Sequence, residues 1–179
     1  MLSVTVVPRI LGILPLSAFR GPRATRGFDL LLFTDEGVVL IGLCESPKGF
    51  GDMTIAFPES IRWRDLFREL PGSSRSFRES LYSVVGRVLT REELSAICRK
   101  VLLGLIGRYC RFVSYGDVKS LVIRPLGRSV EVVVETTGWR KYKYYTLPDA
   151  YADLSPDEAL NEVLRQTSRL SVRVEVRKS

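Results

Sequence analysis

Apolar positions along the chain follow two different periods, and the switches between them outline the elements. Leu2-Ser3-Val4-Thr5-Val6 alternates apolar with polar, as a half-buried strand does, and Pro8 ends it. Residues 20–27 form a basic loop rich in Gly and Pro. Two strand-like runs, 28–33 and 38–43, flank the polar turn Thr34-Asp35-Glu36-Gly37 and predict a hairpin. The run Leu30-Leu31-Leu32-Phe33 is apolar on both faces and predicts a central, covered strand. A third strand is expected over 53–57, closed by Pro58.

The period then lengthens. Trp63, Leu66, Phe67 and Leu70 recur at helical spacing until Pro71-Gly72. Phe77, Leu81, Val84, Val85 and Val88 predict a second helix. The capping-box pattern Thr90-Arg91-Glu92-Glu93 opens a third, lined by Leu94, Ile97, Val101, Leu102, Leu105 and Ile106. Strands return at 118–123, 130–135 and 139–146, with Gly127 in a turn. A three-residue loop, Thr136-Thr137-Gly138, sets Val132 opposite Tyr142 and Glu131 opposite Lys143, with apolar side chains on one face. Ser155-Pro156-Asp157-Glu158 starts a capped helix whose inner stripe is Leu160, Val163, Leu164 and Thr167. Leu170, Val172, Val174 and Val176 alternate with polar residues in a final strand.

This succession predicts one α+β domain over 1–179. A helical block of about three helices, 61–111, is inserted between strand regions 28–57 and 113–147; a helix and terminal strand follow over 156–177. The terminal strands could pair with each other or, as open edges, with a second copy in a homodimer.

Charge changes the picture moderately. Lys+Arg outnumber Asp+Glu by 27 to 20, a net charge of +7. A basic balance suits nucleic acid, an anionic surface or an acidic protein. Most of the cations are Arg, while Asn161 and Gln166 are the only side-chain amides of their kinds. Scarce amides with abundant charge form a thermophile-like, archaeal-like pattern, which also accounts for the arginines as ion-pair partners. Histidine is absent, which excludes His-based triads and zinc sites. The three cysteines, Cys44, Cys98 and Cys110, form no CxxC; a Cys98–Cys110 disulfide stays open. The apolar stretch 2–19 is interrupted by Pro8, Arg9 and Pro15, so no transmembrane span is expected and a cytoplasmic location is the simpler reading.

Two segments resemble one family. Phe33-Thr34-Asp35-Glu36-Gly37-Val38-Val39-Leu40 resembles the T-D-x-R/G-hydrophobic hairpin of bacterial and archaeal pleckstrin-homology-like domains. Tyr115-Gly116-Asp117-Val118-Lys119-Ser120-Leu121 resembles their I-x-Y-x-D-I-x-S-I strand entry. The resemblance implies an antiparallel, half-open barrel closed at one end by a C-terminal helix. It also implies lipid-headgroup, peptide or protein binding rather than catalysis. Glu36-Gly37 replaces the family's usual Arg, so no headgroup site carries over there.

Three groups of residues are candidates for polyanion contact. Arg20, Arg23 and Arg26 have no acidic neighbour before Asp29. Arg62, Arg64, Arg68, Arg75 and Arg78 form a second basic group, in which Arg64 and Arg68 share a helix face; neutralisation by Asp65, Glu69 and Glu79 nearby is the plainer reading. Arg140, Lys141 and Lys143 interleave with Trp139, Tyr142, Tyr144 and Tyr145, the composition of a single-strand-binding groove. A core-facing Tyr row with Lys opposite Glu gives the same pattern and is the plainer explanation. No phosphate-loop motif and no cofactor signature occurs. The expected function is a non-enzymatic binding or scaffold module contacting a protein or an anionic surface. A nucleic-acid-binding protein is the alternative, and a His-free enzyme the remote one.

Overall fold

The computed structural model describes residues 8–17, 28–43, 74–88 and 107–178. Among these residues the structure is mixed α+β, a large sheet of eight strands with few helices. The strands are β1 (Ile10–Ser17), β2 (Phe28–Thr34), β3 (Gly37–Leu43), β4 (Gly107–Ser114), β5 (Val118–Leu126), β6 (Ser129–Thr136), β7 (Lys141–Thr146) and β8 (Val174–Val176). The helices are α1 (Ser74–Tyr82), α2 (Pro148–Tyr151) and α3 (Pro156–Thr167). The strand order is β4-β3-β2-β1-β7-β6-β5-β8, antiparallel throughout except for the parallel β5–β8 pair.

That order forces the sheet to curl. β4 and β5 are first and seventh in it, yet only the turn Tyr115–Asp117 joins them. Six strand spacings across a flat sheet span about 29 Å, whereas four residues reach at most about 14 Å. The two ends of the meander therefore approach each other. Arg111 of β4 accordingly lies over the Tyr142 ring of β7, 5.6 Å from its centroid, and donates to its hydroxyl.

The β2–β3 hairpin forms where the sequence predicts it. The Thr34 hydroxyl accepts from the amides of Glu36 and Gly37 and donates to the Gly37 carbonyl, which closes the turn. Leu30, Leu31, Leu32 and Phe33 are all buried, as a covered strand requires. β1 was not among the predicted strands, because Pro15 sits inside it. The proline is tolerated because its carbonyl faces Leu147, just past the last residue of β7, so its missing amide costs no ladder bond. The expected strands 2–6 and 53–57 lie outside the described residues.

The helical block expected over 61–111 is not seen as such. Among the described residues only α1 represents it, and β4 takes the residues from Gly107 onward. Residues 61–73 and 89–106 lie outside the described residues. Phe77, Leu81 and Val84 are buried as the helical period implies. The helix nevertheless stops at Tyr82, because Gly86 adopts a positive φ of 92° and the chain turns. Ile10 then accepts from the Gly86 amide and donates to the Arg87 carbonyl, and Val88 bridges Arg9 at the entry to β1.

The β6–β7 register also needs a correction. The loop has three residues, but Thr136 pairs with Arg140, so the loop is residues 137–139. Val132 faces Tyr144, Val134 faces Tyr142 and Glu135 faces Lys141. Glu131 faces Tyr145 rather than Lys143. The predicted division of faces survives, because sliding the pairing by two residues preserves a period of two. The Thr136 hydroxyl and amide both bond to the Arg140 carbonyl, which places the loop one residue later.

α3 begins with the predicted capping box. The Ser155 hydroxyl accepts from the Glu158 amide, and the Glu158 carboxylate accepts from the Ser155 amide. Ser155→Ala is expected to lower stability by about 1 kcal/mol, readable as a shifted urea midpoint with an unchanged slope. A variant indistinguishable from wild type would mean that packing alone holds this helix end. The buried stripe of α3 is Ala159, Val163, Gln166 and Thr167, with Leu160 and Leu164 at its margin. This helix crosses β1 and β6. The final strand is shorter than the predicted 170–176, because only Val174–Val176 pair with β5.

Candidate functional site

A cleft of about 840 Å³ lies between α1, the start of β1 and the C-terminal half of α3. Its chemistry starts from the amphipathic character of α1. Phe77 and Leu81 face the core, while Arg75 and Glu79, one turn apart, pair at 2.8 Å in solvent. Arg78 sits at the boundary and is turned inward, its side chain only 7 % exposed. Burying a guanidinium requires partners, and Arg78 has them. It donates to both Asp153 carboxylate oxygens, at 2.5 and 3.0 Å, and to the Ala150 carbonyl at 2.7 Å. Its planar group also lies over the Tyr151 ring. The hydrogen bonds from Arg78 hold the Asp153 carboxyl below the usual aspartate range.

The opposite wall belongs to α3. Arg165 pairs with Glu162 at 2.7 Å and covers the Tyr82 ring at 5.4 Å. Arg169 stands at the rim, exposed and with no ion pair among the described residues. Gln166 is buried and lends its Oε1 to the Ile13 amide, which anchors α3 to β1. The Tyr82 and Tyr151 hydroxyls are buried with no hydrogen-bond partner. Burial pushes the Tyr82 phenol up to about 12 and raises that of Tyr151 well above its ordinary value. Both phenols are therefore neutral donors at physiological pH.

A second charged surface covers the outer face of β5–β8. Glu131 and Glu135 are buried on either side of Val133 and are held by neighbouring strands. Glu135 accepts from Lys141 at 2.8 Å and Ser120 at 3.1 Å, with Arg177 at 4.0 Å. The Lys141 hydrogen bond, with Ser120 behind it, lowers its pKa. Glu131 is paired with Arg124 at 3.3 Å and Lys143 at 3.5 Å. Glu175 on β8 continues the network between Arg173 and Arg177.

The residues expected to contact a polyanion divide accordingly. Arg20, Arg23, Arg26, Arg64 and Arg68 lie outside the described residues. Lys141 and Lys143 share the outer face of β7, where buried glutamates already engage them. Arg140 stands apart at the β6–β7 loop, stacked 5.6 Å from the ring centroid of Trp139. Cys44 and Cys98 lie outside the described residues, so the Cys98–Cys110 pairing does too.

The cleft was not legible as a site. Arg75 and Arg78 stand 75 residues or more before their counterparts on the 153–169 segment, and only folding joins them. One signal pointed to it: the lone Gln of the chain falls on the inner stripe of α3. Among the described residues no helix is long and apolar enough to cross a membrane. No family model, curated protein or solved structure matches this chain.

Proposed function

We propose that this protein is a non-enzymatic binding module of pleckstrin-homology-like architecture, which holds a charged segment of a protein partner in the α1–α3 cleft. A curled antiparallel meander followed by a capped helix across β1 and β6 supports the architecture. The observation that carries the function is the mixed charge of the cleft. Arg75, Arg78, Arg165 and Arg169 alternate with Glu79, Asp153 and Glu162 around one recess.

A recess of this size falls in the range of ligand sites, and its lining mixes charged side chains with Leu11, Tyr82, Val85 and Leu154. The outer pairs, Arg75–Glu79 and Arg165–Glu162, are solvated, and such pairs contribute about 0–1 kcal/mol. They open at little cost to exchange partners with an incoming chain. Arg78–Asp153 is buried deeper and supplies a fixed floor. A recess offering both signs fits a polypeptide carrying both signs. A nucleic-acid groove instead collects unpaired cations along a phosphate track. The pairing of Lys141 and Lys143 with glutamates favours the protein reading in the same way.

The test places a photo-crosslinking residue at Arg169 and, in a second protein, at Lys178, and exposes each to lysate of the source organism. A discrete protein adduct is expected from the rim position alone, lost when Arg165→Glu reverses the charge of the wall. In parallel, the full chain is titrated into labelled single- and double-stranded nucleic acid at low and moderate salt. Binding that survives moderate salt and is lost in Arg165→Glu would replace the protein reading with the nucleic-acid one. Equal labelling from both positions would remove the cleft from consideration.

A further inference from the structure

The eight-stranded sheet ends in β8, whose outer edge is paired with no strand among the described residues. β8 runs parallel to β5 and bonds to it through alternate residues. The Leu121 amide donates to the Arg173 carbonyl, and the Arg177 amide donates to the Ile123 carbonyl. The N–H and C=O groups of Val174 therefore point the other way, to the open edge. The side chains divide by face. Val172 and Val174 pack against the core, and Val176 continues their row while half exposed. Arg173, Glu175 and Arg177 lie on the opposite face, with the Arg173 side chain 77 % exposed and 3.0 Å from Glu175. Natural sheet edges are blunted by shortness, proline, bulges or rows of like charge. β8 is short, but it has no proline and no bulge. Its charges are not alike either, because residues 172–176 read apolar, basic, apolar, acidic, apolar.

We propose that β8 is a dimerisation strand, which pairs antiparallel with β8 of a second copy about a two-fold axis at Val174. A two-fold interface must complement itself, and residues 172–176 do so about their centre. In this register the two Val174 residues exchange N–H···O bonds. Arg173 stands opposite Glu175 of the second copy, and Glu175 opposite its Arg173. Residues directly opposite each other share a face, so both charge pairs extend the outer network that already joins Arg177 to Glu135 and Glu175. On the other face Val176 comes beside Val172 of the second copy, which covers its exposed side. Moving the axis to Val176 would set Val174 opposite Lys178, and moving it to Glu175 would set carboxylate on carboxylate. β4, at the other end of the sheet, has Arg108 and Arg111 and no acid in its sequence, so two copies of it cannot match opposite signs. The charges set the register of the β8 pair, while the ladder bonds and the valines supply the attraction. So short an interface lies at the weak end of specific association. The dimer therefore forms in concentrated protein and is absent at the dilution of a lysate, which leaves Lys178 a neutral position for crosslinking. It does not depend on what occupies the α1–α3 cleft. Two joined copies present two clefts to one partner and raise avidity without a new contact.

The experiment is sedimentation equilibrium of the full chain from about 10 µM to about 1 mM, where the mass is expected to rise from that of one chain toward that of two. Val174→Pro removes the amide that faces the open edge and leaves the bonds from β8 to β5 in place, so it should return the protein to monomer. Arg173→Glu and Glu175→Arg each set like charges opposite one another and should weaken association by about ten-fold. An equimolar mixture of those two variants should recover it, because each copy then meets the opposite sign. The mixture also checks folding, since only two intact copies of β8 can pair. A protein that stays monomeric at every concentration overturns the proposal and leaves the β8 edge to another occupant. A dimer that Val174→Pro does not disturb overturns it by placing the interface elsewhere. Charge variants that fail to associate when mixed overturn the antiparallel register.

Discussion

Gly12→Ala is expected to destabilise this protein by about 3 kcal/mol or more, the largest effect of any single methyl addition to the described residues. A β-carbon at position 12 would lie 1.9 Å from the Gln166 carbonyl oxygen and 2.9 Å from its carbon. Both atoms are backbone, so no rotamer change relieves the contact. Gly12 faces Phe33 just after an irregularity in the β1–β2 ladder, at the place where α3 crosses β1. Moving α3 away would break the bond from the Ile13 amide to the Gln166 side chain and lift Val163 from the core. Leaving that buried amide unpaired alone costs about 1–3 kcal/mol. The midpoint of urea denaturation measures the loss. Gly138→Ala is the control, since its nearest contact would be the Thr136 hydroxyl at 3.8 Å, and it should change stability by less than about 1 kcal/mol. If the two substitutions behaved alike, the close crossing of α3 over β1 would be wrong.

Asp153→Ala is expected to cost about 2–3 kcal/mol, and more than Arg78→Met. The asymmetry follows from burial. Asp153 is 37 % exposed, so its carboxylate can hydrate once Arg78 is gone. Arg78 is buried, and without Asp153 its charge keeps only the Ala150 carbonyl and the Tyr151 ring. The partial exposure of Asp153 puts the figure below the 3–5 kcal/mol of a fully buried pair. The pair also sets part of the acid limb of stability. Arg78 holds the Asp153 carboxyl below its ordinary value of 3.8, so the folded state binds that proton less readily than the unfolded chain. The contribution is complete above about pH 4 and is lost as pH falls through the lowered folded value. Asp153→Ala should therefore lose ground against wild type at neutral pH and draw level with it in acid. A stability difference constant from about pH 6 to pH 2 would show that the ion pair is not its source.

The elements read most directly from the sequence are those decided by neighbours along the chain. The capping box at Ser155 and the Thr34–Gly37 turn need only residues within four positions, and both form as written. The division of faces in β6 and β7 was equally legible, because an alternating pattern has only two settings. The register within that division was not, since Thr136 had to choose between being loop and pairing with Arg140. β1 escaped notice because Pro15 argues against a strand wherever its missing amide would be needed. Only the position of the last β7 residue makes it harmless. The helical pattern beyond Tyr82 was overruled where Gly86 turns the chain and Val88 bridges Arg9.

The candidate sites show the same divide. Composition and spacing marked Arg140, Lys141 and Lys143 together as cations. The fold separates them, giving the two lysines to buried glutamates and leaving the arginine on an exposed indole. The cleft joins α1 to a segment more than seventy positions later, through a guanidinium whose partner no local pattern names. By itself, then, the sequence determined the period of β2, β3, β5, β6 and β7, the cap of the last helix and a positive net charge. All three depend on interactions within a few residues or on simple addition. Only the tertiary structure decided which charges are neutralised, where α3 crosses the sheet and which aromatic ring is left in water, because those depend on contacts between residues the chain keeps far apart.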